Sequence, residues 1–145
     1  QAGHEVHPVN AAFEERTAKL VKQFDDYIAI DDIHVKGQLT LGENIGDLSG
    51  VRIAYDALQK DLENKKVALI DGMSQDQRFF MNFATIWRNN MRPEALKVMI
   101  NTNPHAPASF RAIAAPSNMD EFAAAFDCKP GDKMVRGGKD KVVIW

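Results

Sequence analysis

The chain has 145 residues, 45% of them hydrophobic and 26% charged, a composition that supports one globular domain with a real core. A net charge of -2 and the lack of any Lys/Arg cluster exclude a nucleic-acid footprint and a basic membrane-surface patch. No apolar run is long enough to span a bilayer, residues 1–20 do not read as a signal peptide, and the one cysteine, Cys128, excludes an internal disulfide.

Residues 1–9 read as a flexible end. His4-Glu5-Val6-His7 is one residue short of the zinc motif H-E-x-x-H, which needs its histidines four apart on a helix. Here they are three apart, and Pro8 biases His7 away from helical geometry. An amphipathic helix is expected over 10–28, with Asn10 as N-cap and Phe13, Thr17, Leu20, Val21, Phe24, Tyr27 and Ile28 on its apolar face. Residues 31–38 form a connection with a short extended piece at 33–36, and His34 belongs on the surface. A second helix is expected over 41–62, its stripe made by Val51, Ala54, Leu58 and Leu62, with Tyr55 beside it. A loop over 65–75 carries the apolar patch Val67-Ala68-Leu69-Ile70. Ser74 can cap a third helix over 75–91, whose Phe79, Phe80, Phe83, Ala84, Ile86 and Trp87 read as a core-forming stripe central to packing. Pro93 breaks that helix and opens the next, which runs to 101. Pro104 and Pro107 make 103–111 a rigid, turn-like stretch. Ser117 and Asn118 can cap a short helix over 119–126 anchored by Phe122 and Phe126, and 130–138 is loop-like.

Two places carry chemistry. Glu43 and Asp47 are four apart, so both carboxylates lie on one helical face, amid Leu39, Leu41, Gly42, Ile45, Gly46 and Leu48. Unpaired acids on an apolar face are costly, and a divalent cation, or a histidine that holds one, is a natural partner. The alternative is a capping box, Thr40-x-x-Glu43, with Asp47 as an ordinary first-turn acid. On spacing alone the capping box is the commoner outcome. The second place is His105 and Arg111 on the proline-rich stretch, where spacing weighs a cleft-facing pair and an exposed pair equally.

Val35-Lys36-Gly37-Gln38-Leu39-Thr40-Leu41-Gly42-Glu43-Asn44-Ile45-Gly46-Asp47-Leu48-Ser49-Gly50 resembles the "VNGxLTLGENIADLGG" signature of the neprilysin-type zinc metallopeptidases. That family includes neprilysin, endothelin-converting enzyme and the bacterial PepO-like peptidases. Gly46 and Ser49 replace the usual Ala and Gly. Phe79-Phe80-x-x-Phe83-Ala84-x-x-Trp87 resembles its "FFxxFAxxW", Arg92-Pro93-Glu94 its "RPE", and His105 to Arg111 its "HSPxxFR". Phe126-Asp127-Cys128 resembles "FxC", and Val142-Val143-Ile144-Trp145 resembles the C-terminal "CRVW". The motifs occur in the family's order from about residue 10 to 145.

The resemblance implies a mainly α fold with short extended segments, residues 10–145 being the C-terminal helical part of a thermolysin-like catalytic domain. It implies Glu43 as the third protein ligand of the catalytic zinc. Asp47 then orients a zinc-binding histidine, His105 hydrogen-bonds the oxyanion, and Arg111 supports the constellation and the substrate backbone. Trp145 reads as the natural chain end. Val142 stands where the pattern has cysteine, so Cys128 is expected to be reduced, which fits a bacterial member. The family's H-E-x-x-H, with two ligands and the general base, lies upstream of this chain. The implied function is therefore that of a fragment of a zinc-dependent metalloendopeptidase acting on oligopeptides. Zn2+ belongs to the full-length enzyme, and the chain alone is expected to be inactive and to bind zinc weakly or not at all. Its expected partners are a peptide substrate and the upstream part of its own domain, with no nucleic acid. An apolar face left open for that upstream part could drive dimerisation. Location is expected to be periplasmic, cell-surface or secreted. The rival reading is a non-catalytic helical interaction module. It predicts Glu43 turned back to cap Thr40 and the four site residues scattered; the enzyme reading predicts that they converge.

Overall fold

A computed structural model describes residues 8–145. The His4/His7 pair lies outside the described residues, and Pro8 and Val9, expected in the flexible end, open the first helix. That helix, α1, is Pro8–Asp25. Asn10 lies inside this helix and is not its cap. The helix stops three residues short of Ile28, because Ile28–Ile30 (β1), with its two β-branched isoleucines, pairs antiparallel with Ile33–His34 (β2). Asp31 turns this hairpin with φ 52°.

Helix α2, Gly37–Leu62, begins four residues before the expected start. Its cap comes from another element: the Asp25 carboxylate at the end of α1 accepts a hydrogen bond from the Gly37 amide at 2.7 Å. A Cβ at Gly37 would lie 2.2 Å from the Val21 carbonyl oxygen, so only glycine allows this approach. Thr40 is therefore inside the helix and its hydroxyl donates to the Lys36 carbonyl at 3.1 Å. The Thr40–Glu43 capping box does not form.

Helix α3 is Gln75–Ile86. Ser74 caps it as expected, in a reciprocal capping box with Gln77. It ends five residues early, where Trp87 N–H bonds back to Ala84 in a tightened last turn and Asn89 and Asn90 favour a loop. Its expected stripe reaches the core in part: Phe80 is buried, stacked on Tyr55 and edge-on to Phe122, and Phe79 and Phe83 pack against the core, whereas Ile86 is exposed. Helix α4, Pro93–Thr102, leans on β1. The proline-rich stretch does not stay turn-like, since Ala108–Ala114 is helix α5 and Arg111 stands on it.

Ser117 and Asn118 do not act as caps. They lie in a 3-10 turn, Pro116–Asn118, and are buried. Gln23 of α1, fully buried, shares its two Nε2 hydrogens among Tyr27 Oη, the Ala114 carbonyl and Ser117 Oγ, all at 3.0–3.2 Å. Asn118 donates to Gln23 Oε1 and accepts from the Val142 amide, both at 2.8 Å. Every member of this polar knot has a partner, which is what makes its burial tolerable. Helix α6 is Asp120–Ala125, shorter than expected.

The core sits between α1 and α2, with Leu20, Phe24, Leu48, Val51 and Tyr55 from the pair. Tyr55 belongs fully to the core, while Ala54 of the expected stripe is exposed. Val142 and Ile144 of the extended tail close the core from below, and Arg16 Nη1 donates to the Ile144 carbonyl at 2.7 Å. Cys128 is a free thiol.

Candidate functional site

Helix α2 sets Glu43 and Asp47 one turn apart on a face that α5 and the loop before it approach. Arg111, the fourth residue of α5, grips Asp47 with two parallel bonds: Nε to Oδ2 and Nη2 to Oδ1, both 2.6 Å. This is a fork-on-fork guanidinium–carboxylate pair, the strongest geometry for such an interaction. Arg111 also reaches Glu43 Oε2 at 3.7 Å, and His105 Nε2 stands 3.1 Å from the same oxygen. The four residues singled out in the sequence thus form one chain of contacts, His105–Glu43–Arg111–Asp47.

The chain has an inside and an outside. The Arg111 and Asp47 side chains are 13% and 15% exposed, those of His105 and Glu43 44% and 43%. The inner pair is held by two short bonds and largely shielded; the outer pair faces solvent.

Two further residues shape the site. Asn103 Oδ1 accepts the His105 backbone N–H at 2.9 Å and faces His105 Nδ1 at 2.9 Å. An oxygen that accepts from the backbone requires a donor at Nδ1, so the ring carries hydrogen there and offers Nε2 to the cleft. The available signal was an Asn two residues before a histidine just after a helix end, a common local turn. The second is Trp87, whose ring centre lies 4.1 Å from Arg111 Cζ. Read by helical period it belonged to a core stripe; its place at the end of α3 turns it toward Arg111 instead. His34 is exposed, as expected, with Nδ1 2.6 Å from the Asp25 carbonyl and away from the site.

Beside Asp47 an apolar groove runs along α2. Gly46, Gly50 and Ala54, four residues apart, form its floor, and Phe79, Phe83, Ile86 and Trp87 its wall, around a cavity of about 330 Å³. Ile86 is 64% exposed there. A separate cleft between α2, α6 and the tail, around Arg52, Glu121 and Lys141, contains none of the four site residues.

Residues 6–142 match peptidase family M13. The chain belongs to that family. This M13 chain is 40% identical over 126 residues to an endothelin-converting enzyme homolog of Locusta migratoria, covering 85% of the chain and 17% of that protein. It is 37% identical over 128 residues to human endothelin-converting enzyme 1, covering 85% and 16%. Its fold superimposes on the Mycobacterium tuberculosis zinc metalloprotease ZMP1, crystallised with an inhibitor, with TM-score 0.89, 34% identity, and 94% and 22% of the two chains covered. The M13 chain therefore spans about a fifth of the length of these relatives.

Membership makes this part of a metallopeptidase family and settles the fold as that of the M13 zinc peptidases, mainly helical with two short strands. Among the described residues no three His, Cys, Asp or Glu side chains form a metal cage. No H-E-x-x-H occurs in the sequence. Glu43 fits one position of such a cage: a solvent-facing carboxylate on a rigid helix, next to an imidazole and a guanidinium. No described helix is long and apolar enough to cross a membrane.

Proposed function

We propose that this chain is the C-terminal part of the catalytic domain of a zinc-dependent metalloendopeptidase that cleaves oligopeptides. The observation that supports the reading is the convergence of four residues spread over 43–111 into one graded polar cluster beside an apolar groove. The interaction-module reading needs those residues scattered and Glu43 turned back on Thr40.

Glu43 offers one carboxylate to the metal, the other two ligands and the general base coming from an H-E-x-x-H outside this sequence. A bound zinc supplies Lewis acidity, drawing the pKa of a water toward neutrality and polarising the scissile carbonyl. The rest of the work falls to this chain. Asp47 keeps spare lone pairs while holding Arg111, so it can also accept a hydrogen from a metal-binding imidazole and fix its tautomer. His105, pinned by Asn103 at Nδ1, donates from Nε2, when that nitrogen is protonated, to the oxygen on which charge develops. Arg111, held by Asp47, has remaining N–H groups for a substrate carbonyl. The apolar groove receives the upstream part of the domain. By the same reading the full protein is exported.

The test is a chimera of ZMP1 with residues 10–145 in place of its aligned segment. It should cleave a fluorogenic peptide in a chelator-sensitive way, and Glu43→Ala should abolish cleavage together with stoichiometric zinc. The isolated chain should neither cleave the peptide nor hold zinc tightly. A folded, zinc-loaded chimera indifferent to Glu43→Ala, or cleavage by the isolated chain that Glu43→Ala abolishes, overturns the reading.

A further inference from the structure

We propose that Trp87 is a positioning residue whose indole face holds the Arg111 guanidinium on Asp47 and off Glu43. The functional meaning of this selection rests on the reading above; the contact geometry does not.

Arg111 has two carboxylates within reach. Asp47 takes both arms of its fork at 2.6 Å, and Glu43 Oε2 waits at 3.7 Å from Nη2. The two acids are one turn apart on the same helix, so a modest swing of the guanidinium exchanges one for the other. Coulomb attraction and the two short bonds already favour the more buried Asp47. The ring adds a restraint against the outward swing. Its centre lies 4.1 Å from Cζ, well inside the roughly 6 Å range of a cation–π contact. A cation held over the ring face is restrained in position, and the bidentate bonds fix its fork on Asp47.

The residue type supports this role. Trp87 Nε1 is buried with no hydrogen-bond partner among the described residues. A Leu or Phe would fill the wall beside Phe83 without stranding a donor. What the indole adds is the face that attracts a cation best. Phe83 stands edge-on to it at 6.2 Å and 74°, and the Trp87 amide closes the last turn of α3, so the platform is anchored by both ring and backbone.

The consequence is a division of labour between the acids. With Arg111 parked on Asp47, Glu43 keeps only His105 at hydrogen-bond distance among the described residues and stays available to a cation. An Arg111 free to swing outward would form a charge-assisted pair with Glu43 and compete with a metal there.

Hydrogen exchange at Arg111 Nε, followed by NMR on the 15N-labelled chain without added zinc, tests this. Trp87→Leu should speed exchange at that nitrogen roughly tenfold, the order of a partly desolvated cation–π contact, while α5 backbone amides keep their rates. Trp87→Phe, which keeps a ring face, should recover most of the protection. Glu43→Gln should have no effect with Trp87 present and should speed exchange further in Trp87→Leu, where Arg111 has moved onto Glu43. An unchanged Nε rate in Trp87→Leu overturns the proposal. So does a Glu43→Gln effect equal in both backgrounds, or α5 amides that speed up in step with Nε. If Trp87→Leu does not fold, Trp87→Met takes its place. A chimera without Glu43-dependent zinc would sink the enzymatic reading and leave these exchange results standing.

Discussion

Gly37 shows how one missing methyl positions a site. Its absent Cβ lets the start of α2 lie against the Val21 carbonyl while its amide is capped by Asp25. Gly37→Ala forces backbone 2.2 Å from the new carbon to move. It should destabilise the chain by about 1–3 kcal/mol, the usual cost of overpacking, measured by urea unfolding. A neighbouring change at Gly42, where a Cβ meets nothing within 4 Å, is the control and should be neutral or mildly stabilising. At this scale the sequence was partly legible. The shared face of Glu43 and Asp47 could be read from a four-residue interval, because helical geometry is local, although spacing alone favoured a capping box there. The resemblance to a known motif was needed to favour a site role for that pair, and to single out His105 and Arg111, which spacing left undecided. Asn103 and Trp87 were not singled out, since their partners are set by where α4 and α3 end, and helix ends depend on contacts distant in sequence.

The elements repeat that lesson. The long helices were visible in their apolar periods, but the start of α2 was not, because its capping carboxylate lies 12 residues upstream on another helix. Ser117 and Asn118 resembled caps because small polar residues before a helix usually are. Their true partner, Gln23, is 94 and 95 residues away. Packing of α2 on α3 also has a pH signature. Burial, with the charge of Asp76 adding to it, pushes the Tyr55 phenol up to about 12. An unfolded tyrosine ionises near 10. The folded value is the higher one, so the contribution is intact below about pH 10 and is lost as pH rises toward 12. Urea midpoints should therefore decrease as pH rises from about 10 to about 12, the window set by those two values. Tyr55→Phe should flatten that part of the slope. An equal slope in the variant would assign the effect to other groups.

For the whole molecule, the open groove beside Asp47 is the prominent surface feature. Exposed apolar walls of this kind mark interaction sites. In isolation the chain should bind a hydrophobic dye there and associate with itself at high concentration. Ile86→Glu should reduce both in fluorescence and sedimentation experiments without lowering the unfolding midpoint, because Ile86 is already 64% exposed. Dye binding unchanged by Ile86→Glu would place the sticky surface elsewhere. The tail has a different significance. Arg16 reaches the Ile144 carbonyl across 128 residues of sequence, and Val142 ties into the knot around Gln23. On a ribosome adding about 5–20 residues per second, α1 emerges roughly ten seconds before the segment that completes its core. During that interval α2 can already pack on α1, but Arg16 lacks its Ile144 acceptor and the knot around Gln23 lacks the Val142 amide. Residues 8–145 therefore cannot finish folding as they are made, and the wait exposes the nascent chain to chaperones and proteases.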